Sequence, residues 1–128
     1  MTLRPPLRIP CITDIPPSAS GMRIGLFGGS FNPMHAGHLL VMEETLRRLQ
    51  LDMLWVLVTP GNPLKDNKAL PSLQSRVEAA RQLITNPRIR VTGFEAAKGF
   101  AYSWQTVDFL TRTMPDRRFV WIMGADRD

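Results

Sequence analysis

From Arg23 onward, apolar and polar residues alternate between two rhythms. Arg23–Phe27 is short and apolar, and Met53–Thr59 is continuously apolar, as a strand covered on both faces must be. Between them, residues 37–50 place Leu39, Leu40, Met42, Leu46 and Leu49 at largely helical spacing, with Glu43, Glu44, Arg47 and Arg48 among them, which predicts an amphipathic helix. Pro60–Pro71 reads as a loop. A second helix follows Ser72 or Ser75, either of which can cap it; it carries Val77, Ala80, Leu83 and Ile84 and stops at Pro87. Ile89–Thr92 is a third strand. A helix opening at Ser103 turns Val107, Leu110 and Met114 inward, and beyond the Pro115-Asp116 turn Phe119–Met123 reads as a fourth buried strand. Strands alternating with helices predict βαβ units, hence an α/β fold with a parallel sheet of about four strands.

Residues 1–22 break this pattern. Pro5, Pro6, Pro10, Pro16 and Pro17, with Ser18, Ser20 and Gly21, read as an extended or disordered leader ahead of a single domain over residues 23–128. Met22 opens the first strand and is itself a candidate start. No apolar run approaches the ~20 residues that span a bilayer. The N-terminus lacks the apolar core of a signal peptide. Cys11 is the sole cysteine of the 128 residues, which excludes an intramolecular disulfide and points to a reducing, cytoplasmic setting. The net charge of +5 suits an anionic substrate, but its basic residues are dispersed rather than clustered, which argues against a nucleic-acid module.

In a parallel sheet of this kind ligands bind at the carboxyl ends of the strands. Three polar, glycine-bearing segments fall there: Gly28–His38 after strand one, Pro60–Lys65 after strand two and Gly124–Asp126 after strand four. In the first, Gly28 and Gly29 predict a tight turn that lets a ligand approach the backbone, and Gly37 allows close approach where the next helix begins. Free N–H groups at that helix start form a site for phosphate. His35 and His38, three apart, can face the same way and donate to phosphate oxygens, adding charge when protonated. A zinc pair is the rival, but no third or fourth ligand has convincing spacing. The segment is neither a P-loop nor the dinucleotide fingerprint.

Other residues read two ways. Lys65 can reach a phosphate or stay a solvated loop lysine. Asp126 can accept from ribose hydroxyls, help hold magnesium or simply end a strand. Tyr102, Ser103, Trp104 and Thr106 surround a helix start that can take a second phosphate, or serve as a cap with aromatic packing. Arg76 reads as a solvated helix residue.

The stretch Gly28–His38 resembles the nucleotidylyltransferase signature Gly-x-Phe-x-Pro-x-His-x-Gly-His, matching at Gly29, Phe31, Pro33, His35, Gly37 and His38. Pro60–Lys65, Ala101–Thr106 and Trp121–Asp126 narrow the resemblance to bacterial nicotinate-nucleotide adenylyltransferases, over residues 22 to about 126. The resemblance implies a Rossmann-like doubly wound sheet and transfer of the adenylyl group of ATP, carried with Mg2+, to nicotinate mononucleotide, giving nicotinate adenine dinucleotide and pyrophosphate. It further implies that His35 and His38 stabilise the ATP phosphates, that Gly28, Gly29, Ser30, Phe31 and Gly37 lie against the nucleotide, and that Gly124 and Asp126 contact its ribose. Lys65 would lie near phosphates, and Tyr102, Ser103 and Thr106 would hold the nicotinate nucleotide.

The family continues beyond the Gly-Ala-Asp segment with another strand and an Ile-Ser-x-Thr-x-Ile-Arg segment, and it usually has asparagine where this chain has Arg127. The expectation is therefore a domain incomplete at its C-terminus, with an exposed sheet edge that invites self-association. The rivals to catalysis by this chain are a nucleotide-binding remnant that makes no product and an adenylyl- or cytidylyltransferase with another phosphate acceptor.

Overall fold

The computed structural model describes residues 11–60 and 70–122. Its elements are β1 (Arg23–Gly29), α1 (Ala36–Arg48), β2 (Met53–Val58), α2 (Leu73–Leu83), β3 (Ile89–Thr92), α3 (Phe94–Lys98), α4 (Ser103–Thr113) and β4 (Arg118–Ile122). Among the described residues the four strands form one sheet, ordered β3-β2-β1-β4, with every neighbouring pair parallel. The chain steps outward from β1 through β2 to β3, then crosses back to lay β4 on the far side of β1. Winding reverses between β1 and β4, the position at which open α/β sheets bind ligands beyond the carboxyl ends of their strands.

Every residue of β2 is buried, because side chains alternate between two covered faces. On one face Leu54, Val56 and Val58 join Met42 and Leu46 of α1 and Val77 and Ala80 of α2. On the other, Met53, Trp55 and Leu57 join Phe94 of α3 and Leu110 of α4. The helices thus lie on both faces, as the Rossmann-like expectation required.

Several expectations need correction. β1 runs two residues further than its apolar stretch, so Gly28 and Gly29 are extended strand residues rather than a turn. Leu40 points outward at 72% exposure and Leu49 is also exposed, because the buried stripe of α1 narrows to His38, Met42 and Leu46; Leu83, the last residue of α2, is exposed as well. α2 ends at Leu83, ahead of Pro87, with Ile84 already extended. α3 was not expected: it is one short helix between Gly93 and Gly99, the latter closing it in the left-handed conformation (φ 72°). β4 is half-buried rather than buried, since it has β1 on one side and no strand on the other among the described residues.

Within the expected leader, residues 11–22 form neither helix nor strand, but they are tied to the domain. The Ile12 carbonyl accepts from Gly93 N–H at 2.6 Å and the Asp14 carbonyl accepts from Thr92 Oγ1 at 2.6 Å. Arg81 donates to the Cys11 carbonyl, Arg117 donates to the Ser18 carbonyl at 2.8 Å, and Gly21 N–H donates to the Asp116 carbonyl. Pro16 is buried, and Ile15 and Met22 pack on the α3–α4 side of the core. The segment is a strap running from the carboxyl end of β3 to the amino end of β4.

Candidate functional site

β1 delivers the chain to its carboxyl end at Gly29, and α1 begins at Ala36. His35 is the residue before the first helical position, with extended backbone (φ −136°, ψ 177°). Its Nδ1 accepts the N–H of Gly37 at 3.1 Å, while Nδ1 of His38 accepts the N–H of His35 at 3.0 Å. The two histidines therefore build a reciprocal capping box, a role usually filled by Ser or Thr with Glu or Gln. An Nδ1 that accepts leaves Nε2 to carry the ring proton, so Nε2 is the nitrogen each ring can donate from. The rings are stacked, with centroids 3.8 Å apart and planes 29° from parallel.

Support comes from beneath. His38 is 6% exposed and meets the edge of Phe31 at 5.1 Å between centroids, and Phe31 in turn stacks on Phe27 at 5.7 Å. Phe31 holds φ at 47°, a left-handed conformation unusual for an aromatic residue, which folds its ring back over the strand end. A Cβ at Gly29 would lie 3.1 Å from that ring. The Cβ side of Gly29 is thus covered by the Phe31 ring, and Phe31 is a buried prop for His38. Gly37 is exposed, and a Cβ there would meet the His35 ring at 2.9 Å.

Arg76 departs most from expectation. It is 4% exposed, not solvated. Its Nε donates to the Pro71 carbonyl at 2.9 Å, and its Nη1 donates to the carbonyls of Ser30 at 3.0 Å and Thr59 at 2.7 Å. Desolvation pulls its pKa below the ordinary arginine value. The signal was in the sequence: Leu73, Arg76, Val77 and Ala80 follow the spacing of the buried stripe of α2, with one charge among apolar residues.

At the start of α4 the cap is Gln105, whose side-chain oxygen accepts from Ala101 N–H at 2.8 Å and Tyr102 N–H at 3.0 Å. Tyr102 is exposed and Ser103 half-buried, so both sit at the surface of this helix start. Thr106 is fully buried, and its hydroxyl donates to Oε2 of Glu95, itself buried on α3. The Thr106 side chain therefore ties α4 to α3 beneath the surface instead of reaching a ligand. Neither Glu95 nor Gln105 was singled out by sequence; Glu95 falls on the short helix that periodicity did not reveal.

Lys65, Gly124 and Asp126 lie outside the described residues. Of the other expected residues, Gly28, Gly29, Ser30, Phe31, His35, Gly37 and His38 gather at the carboxyl end of β1. Tyr102, Ser103 and Thr106 gather at the start of α4, which follows β3 and packs on the opposite face from α1. No group of three or more His, Cys, Asp or Glu side chains that could hold a metal ion occurs among the described residues. No helix among them is long and apolar enough to cross a membrane.

The family model described as Cytidylyltransferase-like matches residues 26–127. Probable nicotinate-nucleotide adenylyltransferase of Methylorubrum extorquens (strain PA1) is 61% identical over 105 residues, covering 82% of this chain and 57% of the relative. The protein of the same description from Agrobacterium fabrum is 55% identical, covering 82% of this chain and 56% of its own length. The chain thus spans about half the length of the curated relatives it matches. Among solved structures, Plasmodium falciparum nicotinic acid mononucleotide adenylyltransferase complexed with NaAD superposes with a TM-score of 0.70 at 19% identity, over 82% of this chain and 53% of that one. At that identity the likeness is one of fold.

Proposed function

The chain belongs to the cytidylyltransferase-like family, and from that premise we propose that it carries the nucleotide-binding half of a nicotinate-nucleotide adenylyltransferase. The reaction joins the adenylyl group of ATP to nicotinate mononucleotide and releases pyrophosphate. The observation that carries the reaction class is the histidine pair: two Nε2–H donors, held by reciprocal capping at a helix start beside the β1–β4 switch point. The acceptor nucleotide is inferred from the named relatives.

The phosphate of nicotinate mononucleotide is the nucleophile. Its oxygen attacks the α-phosphorus of ATP, the new P–O bond forms, and the bond to the pyrophosphate oxygen breaks. The chain's own groups then have two tasks, alignment and stabilisation of charge on the phosphate oxygens. Nε2–H of His35 and His38 donate to those oxygens, and the N–H groups of the first turn of α1 favour the same negative charge. Magnesium enters with ATP as part of the substrate, in keeping with its preference for phosphate oxygens. Gly124 and Asp126 would meet the ribose, Lys65 the phosphates, and Tyr102 and Ser103 the nicotinate nucleotide. Thr106 would act indirectly, by fixing α4. The proposed setting is the cytoplasm.

The test is incubation of the chain with magnesium, ATP and nicotinate mononucleotide, with detection of the dinucleotide and pyrophosphate. Equal or better turnover with phosphopantetheine or glycerol 3-phosphate would overturn the acceptor. Calorimetric binding of ATP with no pyrophosphate released would reduce the chain to a nucleotide-binding unit.

A further inference from the structure

Arg76 is a buried cation that the reaction as described does not use. Its guanidinium spans three carbonyls on three separate segments: Pro71 ahead of α2, Ser30 directly after β1 and Thr59 directly after β2. Thr59 N–H also donates to the Gly29 carbonyl at 2.9 Å, so the two strand ends are tied twice. Ser30 leads at once into Phe31, whose left-handed backbone and ring set the seat of His38. An apolar side chain at this stripe position of α2 would fill the core without the cost of desolvating a charge. What an apolar residue cannot do is hold two loop carbonyls in a fixed relation, and a lysine, with one nitrogen, cannot reproduce the planar fork that reaches three acceptors.

We propose that Arg76 is a positioning residue for adenylyl transfer: through the carbonyls of Ser30 and Thr59 it fixes the loop bearing His35 and His38 against the end of β2, and so sets where the two imidazoles meet the phosphates. The proposal rests on the adenylyl-transfer reading. A misplacement of about 1 Å costs on the order of 100-fold in rate, so the loss falls on kcat, while substrate contacts made elsewhere keep KM nearly constant.

The experiment compares the full chain with Arg76→Lys and Arg76→Met by steady-state kinetics and by 15N spectra of the histidine rings, with circular dichroism to establish folding. The expected result is a ~100-fold fall in kcat, KM values for ATP and nicotinate mononucleotide within about threefold, and ring-nitrogen shifts of His35 and His38 displaced from the Nε2–H pattern of the unaltered chain. Unaltered kcat and unaltered ring shifts in a folded Arg76→Lys protein would overturn the proposal. The spectra need no turnover. An unaltered chain that makes no product would sink the adenylyl-transfer reading, while displaced ring shifts in the variants would still support the clamp and undisplaced ones would still refute it. Should Arg76→Met fail to fold, Arg76→Lys carries the test. If neither folds, Arg76 is a fold residue only, and the proposal falls.

Discussion

His38 accepts the backbone N–H of His35 at its Nδ1, and the two imidazoles lie face to face with centroids 3.8 Å apart. One contact thus does two things. It closes the start of α1, and it leaves the proton of His38 on Nε2, where a donor is needed. The helix cap and the candidate phosphate site share the same two rings, the one through Nδ1 and the other through Nε2.

Substitutions at His38 should separate these two roles. The side-chain oxygen of asparagine falls where Nδ1 lies and can keep the cap, whereas the amide nitrogen of glutamine falls where Nε2 lies and can keep the donor. His38→Asn keeps the cap bond but gives up the packing of a buried ring on Phe31, so it is expected to lose about 0.5–3 kcal/mol in urea unfolding. It should also lose turnover by at least ~100-fold, the scale for one transition-state donor. His38→Gln should lose about 1 kcal/mol as a cap is lost, yet retain more turnover than His38→Asn. Equal losses of turnover in the two variants would detach Nε2 from the chemistry.

Gly37→Ala sets helix propensity against the site. Alanine in place of glycine within a helix ordinarily adds about 1 kcal/mol of stability. Here the new methyl would lie 2.9 Å from the His35 ring, which must swing away and give up its bond from Gly37 N–H. His35 is exposed, so the clash is relieved by rotation of its ring rather than by unfolding. Melting should therefore change by no more than a few degrees, while turnover drops at least ~10-fold with loss of an aligned donor. A fully active Gly37→Ala protein would show that the orientation of His35 is dispensable.

How much of this was legible depended on what each residue was doing. The continuous apolar run of Met53–Val58 announced a strand covered on both faces, and the alternation around it announced the parallel sheet. The histidine corner was legible because few structural tasks need that combination of residues. Phe31 was not, since nothing local marks an aromatic residue as left-handed; its conformation comes from tertiary packing on Phe27 and His38. Arg76 and Thr106 were misread because charged and hydroxyl side chains ordinarily favour solvent. Each lies on the buried stripe of its helix, and there a polar residue signals a partner: backbone carbonyls for Arg76, Glu95 for Thr106.

Thr106→Val should test whether that residue acts from beneath the site. Valine matches the shape of threonine but leaves Oε2 of Glu95 without the Thr106 hydroxyl in a buried setting. A loss of about 1–3 kcal/mol in stability follows, and Thr106→Ser, which restores the hydroxyl, should recover most of it. Because the side chain faces inward, KM for nicotinate mononucleotide should move little in the folded Thr106→Val protein. A large rise in KM with unchanged stability would place Thr106 at the ligand instead.

The strap over residues 11–22 yields the last prediction, through Thr92. Its hydroxyl is fully buried; it donates to the Asp14 carbonyl at 2.6 Å and accepts Phe94 N–H at 3.2 Å, so one oxygen joins the strap, the end of β3 and the start of α3. Thr92→Val keeps the volume and the β-branching while removing both bonds, so that the buried Phe94 amide and the part-buried Asp14 carbonyl each lose this contact. The expected cost is about 1–3 kcal/mol for each such group, reduced where water replaces the lost contact. Deleting residues 11–21 should also destabilise the domain, because it uncovers the apolar surface under Ile12, Ile15 and Pro16. In the shortened protein, however, the Thr92 hydroxyl has already lost the Asp14 carbonyl, so Thr92→Val should cost less there than in the longer chain. The difference between the two costs, read from urea midpoints in a double-mutant cycle, measures the coupling of strap to sheet. Equal costs in both backgrounds would mean that the strap contributes nothing through Thr92.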